Sequence, residues 1–168
     1  MSPHDQVLPE PWKSFFDEVD TLLAEETKVH CCGGFVATQL YGVARTTNDI
    51  DFLSVVPNIR ADLMAIAGKG TSLHQKHKVY LDAVTVMTPP EDYESRLIPM
   101  FPGYPWKHWR LFGLEAHDLA LSKLERNWDR DRDDVQQLVQ AGLVKADILQ
   151  QRYSDELRPN FTAHEERH

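Results

Sequence analysis

The stretch "CCGGFVATQLYGVARTTNDIDFLSVV", residues 31–56, decides the fold, because it joins a glycine pair to two acids at the start of an apolar strand. Asp49 and Asp51 flank a single isoleucine and lead directly into the run FLSVV. Acidic residues are poor strand formers, and burying them without a partner is costly. Two of them at the mouth of a core strand therefore indicate a role beyond folding.

The spacing of these acids predicts a metal site. Side chains two residues apart on a strand point to the same face, so we expect Asp49 and Asp51 to project together while Ile50 faces the core. Two convergent carboxylates stay ionised at low cost only when a cation lies between them. Asp82, within the strand-like stretch "YLDAV", joins them if the two strands are neighbours; the alternative is an edge-strand acid that faces water. Mg²⁺ prefers oxygen ligands and commonly combines one or two carboxylates with substrate phosphates.

The glycine pair upstream predicts an anion site. Gly33 and Gly34 end a predicted strand and open a predicted helix, where free backbone N–H groups bind anions and glycines let a phosphate approach closely. Arg45 adds a cation four residues before Asp49, although it can equally pair with a neighbouring acid. A phosphate cradle beside an acidic metal site is the combination that phosphoryl-type transfer needs.

Around this stretch the pattern predicts the order β-α-β-α-β followed by helices. The third strand is expected over residues 78–87, and "KGTSLHQKHKVY", residues 69–80, is expected to be a solvated loop and hairpin. We expect an α/β (α+β) fold with a small mixed β-sheet, flanking helices and a helical C-terminal half. The expected segments are an N-terminal helix in 1–27, a sheet core in 28–90, an irregular connector rich in proline and aromatic residues in 91–114, a helical part in 115–158 and a tail in 159–168.

Two further motifs have more than one interpretation. The connector sequence "PGYPWKHWR", residues 102–110, either stacks a nucleotide base or forms an aromatic plug between the two halves, and we favour the plug. "HEERH", residues 164–168, has the letters of the zinc-protease pattern H-E-x-x-H, but it lies in a charged tail and we do not interpret it as a zinc site.

Composition excludes several classes of protein. A formal charge of −8, from 18 Lys and Arg against 26 Asp and Glu, argues against a chain whose main task is non-specific nucleic-acid binding. No stretch approaches the roughly 20 apolar residues of a membrane helix, and the N-terminus does not resemble a signal peptide, so we expect a cytoplasmic protein without a membrane partner. The adjacent Cys31 and Cys32 are expected to be a reduced, buried pair in a strand.

Taken in order, the motifs "GG…YGVARTTNDIDFL…VYLDAVT…DLALSKLERNWDRDRDDV" resemble those of the DNA polymerase β-like nucleotidyltransferase superfamily. The nearest branch is the minimal nucleotidyltransferases related to abortive-infection toxins of bacterial toxin–antitoxin systems. That pattern has a glycine pair, a D-x-D on the next strand, a later third acid, a Ser-Lys motif and an Arg-Asp-x-x-Asp motif. The resemblance covers about residues 28–140, and Gly34 departs from it where many members have a serine.

The resemblance implies a role for each matching residue. Asp49 and Asp51 would hold Mg²⁺ (or Mn²⁺), and Asp82 would complete a second metal and accept the proton of the acceptor hydroxyl. Gly33, Gly34 and Arg45 would meet the triphosphate, and Lys123, among the catalytic residues, would reach the phosphates from the helical half. Arg130 and Asp134 would add phosphate or metal contacts to the bound nucleotide.

Spacing in the helical half supports part of this assignment. Lys123, Asn127, Arg130 and Asp134 follow i, i+4, i+7 and i+11, which predicts one polar stripe if the helix is continuous. The alternative for "WDRDRDD" is a solvated helix with i,i+4 pairs such as Arg130 with Asp134.

The implied activity is transfer of a nucleoside monophosphate from a nucleoside triphosphate to an acceptor hydroxyl, with release of pyrophosphate. The implied acceptor is a tRNA 3′ end or a partner protein, and the implied role is that of a toxin with a cognate antitoxin. Two alternatives stay open: the same chemistry on a small molecule such as an aminoglycoside, and a catalytically silent nucleotide-binding or interaction module.

Overall fold

The computed structural model describes residues 6–85 and 87–157, which form a mixed β-sheet flanked by helices. The expected tail and the HEERH motif lie outside the described residues. The strands are β1 (Thr27–Cys32), β2 (Asp49–Val56), β3 (Tyr80–Ala83), β4 (Ile98–Met100) and β5 (Trp109–Gly113). The α-helices are α1 (Trp12–Leu22), α2 (Gly33–Tyr41), α3 (Arg60–Ala67), α4 (Ser72–His77), α5 (Ala116–Arg126), α6 (Asp129–Gln140) and α7 (Ala146–Arg152).

The sheet has five strands in the order β3-β2-β1-β5-β4. β1 pairs antiparallel with β2 and parallel with β5, while β3 runs parallel to β2 and β4 antiparallel to β5. This mixed sheet with flanking helices and a helical C-terminal half confirms the predicted fold class.

Burial follows the sequence patterns of the two inner strands. β1 is buried at every position except Lys28, as expected for a central strand covered on both faces. Cys31 and Cys32 are free and buried there, as predicted. In β2, Ile50 and Phe52 are fully buried while the acids between and before them are not, which confirms the predicted alternation.

The region 91–114 differs from the prediction of an irregular connector. It contributes two strands, β4 and β5, and β5 lies beside the central strand β1. β4 is only three residues long and includes Pro99, which an edge strand tolerates because one side of it needs no backbone donor. A strand this short between proline-rich turns carries too little periodicity to be recognised.

The aromatic residues of 101–110 pack together, but within the described residues their ring contacts are with one another and with the N-terminal helix, and not between the two halves as favoured from the sequence. Trp106 and Trp109 are buried and pack against Phe16 of α1, with ring centroids 5.8 Å away in both cases. Trp106 also donates its indole N–H to Asp17 over 2.9 Å. Asp20 accepts three backbone N–H groups of residues 107–109 at 2.7–2.9 Å. The connector is therefore fastened to the N-terminal helix.

Two local elements differ in length or kind from the prediction. β3 spans four residues rather than the predicted 78–87, and α4 forms where a solvated loop was expected. The hydroxyl of Thr71 caps α4 by accepting the backbone N–H of His74, a capping signal present in the sequence but overlooked. Within the described residues no helix is both long and apolar enough to cross a membrane.

Candidate active site

Three aspartates meet where β2 and β3 run side by side. The strands are parallel, and their register places Asp51 directly opposite Asp82. Asp49 lies two residues before Asp51 and shares its face of the sheet. One carboxylate oxygen from each of the three lies within 4.8 Å of the others. The structure thus brings together the three acids that the sequence predicted to converge, with Asp82 the most exposed of them.

These carboxylates lack a cationic partner from the protein. Within the described residues, none of the three forms an ion pair with a lysine or arginine. Burial and the negative charges of Asp49 and Asp82 raise the pKa of Asp51 to about 6. Burial and the charge of Asp49 also raise the pKa of Asp82, although Lys69 opposes that shift. The cluster therefore carries negative charge at neutral pH that no ion pair of the described residues neutralises, although Arg126 and Lys123 partly oppose the raised pKa of Asp51.

The donor set fits a hard divalent cation. It offers only carboxylate oxygens, which Mg²⁺ and Mn²⁺ prefer over softer ligands. Three acids within mutual reach and without a protein counter-charge are what such an ion would neutralise. Asp49, Asp51 and Asp82 are the residues that could hold it.

The glycine pair lies against this cluster at the start of α2, as predicted. Gly33 is the first residue of α2 and has φ +73°, a left-handed conformation that favours glycine. A Cβ atom at this position would overlap Oδ2 of Asp51. Only glycine therefore lets the start of the helix approach the acid cluster this closely.

The missing side chain of Gly34 makes room for the guanidinium of Arg45. A Cβ atom on Gly34 would overlap the guanidinium of Arg45, which lies across this residue. The Nε of Arg45 is buried and has no hydrogen-bond partner among the described residues. The structure thus places the glycine pair, Arg45 and Asp51 together, at a helix start where backbone N–H groups favour anions.

Arg45 and Lys123 share one acid. Nη1 of Arg45 lies 3.2 Å from Oδ2 of Asp134, and Nζ of Lys123 lies 2.7 Å from the same oxygen. Lys123 and Asp134 are both buried. Of the two sequence interpretations of Arg45, pairing with an acid is observed, although that acid is remote in the chain. Contact of Lys123 with phosphate, which the resemblance implies, stays a prediction.

The predicted polar stripe on a single continuous helix is wrong. Asn127 adopts a left-handed conformation with φ +55°, ends α5 and separates it from α6. The chain turns back there, so Lys123 of α5 and Asp134 of α6 face each other instead of following one face. The suggested pair of Arg130 with Asp134 does not form either. Arg130 is exposed and lies over the ring of Trp128, at 4.9 Å from its centroid.

A cavity of about 550 Å³ opens beside the acids and reaches the helical half. It is large enough for a small-molecule substrate. From the sheet side it is lined by Cys32, Gly33, Asp51, Asp82, Val84, Thr85 and Met87, and from the helical side by Ser122, Lys123, Glu125, Arg126 and Trp128.

Several lining residues were not anticipated from the sequence. Arg126 and Trp128 enter the cavity because the chain turns at Asn127, and a helix-ending asparagine was the signal that could have predicted that turn. Glu125 also lines the cavity, and burial raises the pKa of its carboxyl. Thr85 and Met87 follow β3, in a stretch that the sequence interpretation had assigned to the strand itself.

Comparison with known proteins agrees with this geometry. Residues 13–168 match a protein family described as "Nucleotidyltransferase of unknown function (DUF6036)". Searches among curated proteins and among solved structures found no match. The family match covers nearly the whole chain, including all three aspartates, the glycine pair and the helical half that closes the cavity. This chain is therefore a member of that nucleotidyltransferase family.

Proposed function

We propose that this protein transfers a nucleoside monophosphate from a nucleoside triphosphate to an acceptor hydroxyl in a reaction that depends on Mg²⁺ or Mn²⁺. The observation that carries the proposal is the convergence of Asp49, Asp51 and Asp82 beside the start of α2. Family membership supports nucleotidyl transfer in general. The metal dependence and the residue roles are the parts that we add.

In this proposal the three aspartates hold the metal, and the start of α2 receives the phosphates. A bound divalent cation would neutralise phosphate charge and orient the triphosphate. The backbone N–H groups of Gly33 and Gly34 and the guanidinium of Arg45 supply further donors on the protein side. Lys123 lines the same cavity and adds positive charge from the helical half. Arg130 and Asp134, also implied by the resemblance, would act less directly: Asp134 holds Lys123 and Arg45 in place.

The proposed reaction is a displacement at the α-phosphorus. The acceptor oxygen forms a bond to that phosphorus, and the bond from it to the oxygen that bridges to the β-phosphate breaks, so pyrophosphate leaves with the electron pair. The proton of the acceptor hydroxyl passes to the carboxylate of Asp82. Asp82 is the most exposed of the three aspartates, which leaves its carboxylate accessible to the acceptor hydroxyl.

The decisive experiment substitutes the metal-binding acids without changing their size. Asp49→Asn and Asp51→Asn should each lower transfer of α-labelled nucleotide by at least about 1,000-fold, in line with losing an electrostatic contribution of several kcal/mol. Circular dichroism should show an intact fold, and calorimetry should show loss of Mg²⁺ binding. Asp62→Asn, at an exposed position of α3, is the matched control and should keep wild-type transfer. Full transfer by both site variants would refute the metal assignment.

The finer parts of the proposal rest on the sequence resemblance alone. These are an acceptor on tRNA or on a partner protein, the role of a toxin, and a cognate antitoxin. Incubating the protein and α-labelled nucleotides with separate fractions of total RNA, total protein and aminoglycosides would identify the acceptor class. Label in the antibiotic fraction alone would replace the toxin proposal with small-molecule modification. Calorimetric nucleotide binding without transfer to any fraction would favour a catalytically silent binding module.

A further inference from the structure

We propose that the indole ring of Trp128 is the stacking surface for the base of the incoming nucleotide. The proposal rests on the proposed function, because that function brings a nucleotide into the cavity. Trp128 lines the cavity that also contains Gly33, Asp51 and Asp82. A nucleotide whose phosphates lie near the acids has its base elsewhere in this cavity, and Trp128 is the aromatic side chain in its lining.

The exposure of Trp128 sets it apart from the other tryptophans. It is 55% exposed, whereas Trp12, Trp106 and Trp109 are 5%, 7% and 0% exposed. Those three pack into the aromatic core around Phe16. Leaving an indole in water forgoes the free energy of its burial, which a core position would recover. An indole ring at the margin of a cavity can gain this free energy of burial by stacking on a flat ligand.

Hydrogen bonding of its backbone, and not burial of its side chain, holds Trp128 in place. The residue lies in the short turn between α5 and α6, directly after the left-handed Asn127. Its backbone N–H donates to the buried carboxylate of Asp131 over 3.1 Å. The same carboxylate accepts two hydrogen bonds from Arg126, at 2.6 and 2.8 Å. This arrangement fixes the backbone of Trp128 before any ligand arrives, which lowers the entropy cost of ordering the turn on binding.

Two arginines lie close to the ring of Trp128. The guanidinium carbon of Arg126 lies 4.6 Å from the centroid of the Trp128 ring, and that of Arg130 lies 4.9 Å from it. Arg126 is fixed by its bonds to Asp131, whereas Arg130 forms no ion pair with any residue in 6–85 or 87–157. Arg130 can therefore be displaced by a base or be covered by it. Indole and guanidinium planes both stack on bases.

Stacking predicts broad base tolerance. Every base has a π face, so a surface of this kind contributes affinity without strong discrimination between bases. Removing one stacking partner weakens binding of a nucleotide by about 10-fold to 100-fold. A ligand that has phosphates but no base should be unaffected by the loss of the ring, which separates stacking from the phosphate contacts of the same cavity.

The test uses the fluorescence of the one strongly exposed tryptophan together with calorimetry. The full chain with Mg²⁺ is titrated with an ATP analogue that has a methylene group between the α- and β-phosphates, and separately with inorganic tripolyphosphate. The analogue should quench the emission of Trp128, and tripolyphosphate should not. Trp128→Phe should lose the quenching but keep most of the affinity, because phenylalanine also stacks. Trp128→Ala should bind the analogue about 10-fold to 100-fold more weakly and tripolyphosphate as well as wild type does.

Tyr153→Ala is the matched control, since Tyr153 is an aromatic residue that is also exposed but does not line the cavity. Its affinity for both ligands should equal that of the wild type. Equal affinity of the wild-type protein for the analogue and for tripolyphosphate would overturn the proposal. The proposal would also be overturned if Trp128→Ala lost affinity for both ligands equally. It would likewise be overturned if a short RNA with a free 3′ end, and not the analogue, quenched the emission of Trp128.

The experiment also separates this proposal from the one on which it rests. If Asp49→Asn and Asp51→Asn keep full transfer while the analogue still quenches Trp128, the metal assignment fails and the stacking surface stands. If those variants lose transfer while Trp128→Ala binds the analogue like wild type, the stacking surface fails and the metal assignment stands.

Discussion

Two groups of acids in this protein differ in where their counter-charge comes from. The first is the aspartate cluster, Asp49, Asp51 and Asp82, which has no cationic side chain bound to it among the described residues. The second is the arginine-bound cluster, Glu115, Asp118 and Glu156, near the start of α5 and the C-terminal end of the described chain. Both are acidic, but only the second is neutralised by the protein.

The arginine-bound cluster is fully paired. Asp118 is completely buried and accepts two hydrogen bonds from Arg96, at 2.8 and 2.9 Å, and one from Arg152 at 3.0 Å. Arg96 also forms an ion pair with Glu156 over 2.8 Å, and Arg152 also donates a hydrogen bond to Glu115. These contacts join the segment before β4 to α5 and to the end of α7.

The pKa shifts of the two clusters have opposite signs for this reason. Burial alone would raise the pKa of Glu115 and of Glu156, but hydrogen bonds from His117 and Arg152 to Glu115, and from Arg96 to Glu156, outweigh it and lower both. Among the described residues, no lysine, arginine or histidine bonds to the aspartate cluster, and burial together with the charges of Asp49 and Asp82 raises the pKa of Asp51. A buried acid that the protein pairs contributes to the fold, whereas one left without a counter-charge is available to a cation from solution.

The largest expected effect comes from breaking the paired cluster. Asp118→Ala should lower the free energy of unfolding by about 3–5 kcal/mol, because it leaves the guanidinium groups of Arg96 and Arg152 without their central partner. Urea denaturation followed by circular dichroism measures this loss. Asp129→Ala is the control, since Asp129 also pairs with an arginine but is 92% exposed, and its loss should leave stability unchanged. Equal stability of the two variants would contradict the assignment of a structural role to Asp118.

An intermediate effect of opposite sign is expected in the aspartate cluster. In the presence of a chelator at pH 8, Asp51→Asn should raise the free energy of unfolding by about 1–3 kcal/mol. The reason is that the substitution removes a negative charge that burial and the neighbouring acids make unfavourable in the folded state. Added Mg²⁺ should stabilise the wild-type protein and reverse this order. Thermal denaturation with and without Mg²⁺ measures both effects, with Asp62→Asn as the control.

The pH dependence of that difference follows from the raised pKa of Asp51. The charged carboxylate destabilises the fold at pH values above about 6, and protonation relieves the penalty as the pH falls from about 6 towards 3.8, the ordinary value. The advantage of Asp51→Asn should therefore be largest above pH 7 and disappear near pH 4. A constant advantage across this range would show that a change in packing, and not charge, causes it.

The smallest of these effects is expected at Glu115. Its carboxylate caps the start of α5 by accepting the backbone N–H groups of His117 and Asp118, and it also binds the His117 ring at 2.6 Å. The other ring nitrogen of His117 accepts the backbone N–H of Lys145 over 3.0 Å, so the ring donates to Glu115 as a neutral imidazole. Glu115→Gln should therefore cost about 1 kcal/mol at pH 7, mainly through the lost charge at the helix start and beside Arg152.

The sign of this pH dependence is opposite to that of Asp51. Because the folded pKa of Glu115 is below its ordinary value of 4.5, its contribution is fully present above pH 4.5 and is lost as the pH falls through the folded pKa. The difference between wild type and Glu115→Gln, measured by urea denaturation, should shrink on acidification. Growth of that difference below pH 4.5 would contradict the pairing.

The predicted site depended on local patterns that tertiary contacts rarely override. The alternation in β2 placed Asp49 and Asp51 on one face, and the glycine pair marked the change from β1 to α2. The position of Asp82 needed one further assumption, that β3 lies beside β2, and this assumption is confirmed. These features depend on the pleat of a strand and on the conformational freedom of glycine, which are properties of a few consecutive residues.

The errors came from contacts between distant segments. β5 was missed because five residues between turns carry little periodicity, and its place beside β1 depends on pairing across about half of the chain. Lys123 and Asp134 were placed on one helix face, but the turn at Asn127 makes them an ion pair that Arg45 joins from the sheet side. A periodicity argument has no means of detecting a single residue in the left-handed conformation.

From the chain alone came the class of fold, the glycine-lined start of α2 and the shared face of Asp49 and Asp51, because short-range patterns specify each of them. The convergence of Asp82 with these two acids depended on the pairing of β2 with β3. Folding in three dimensions decided which acids would find an arginine or lysine and which would not, and it brought Arg126 and Trp128 to the cavity. The physical reason is that the arginines that bind Asp118 and Glu156 lie 22 to 60 residues away from them along the chain. Whether an acid is neutralised by the protein or left for a cation is therefore a property of the packed molecule.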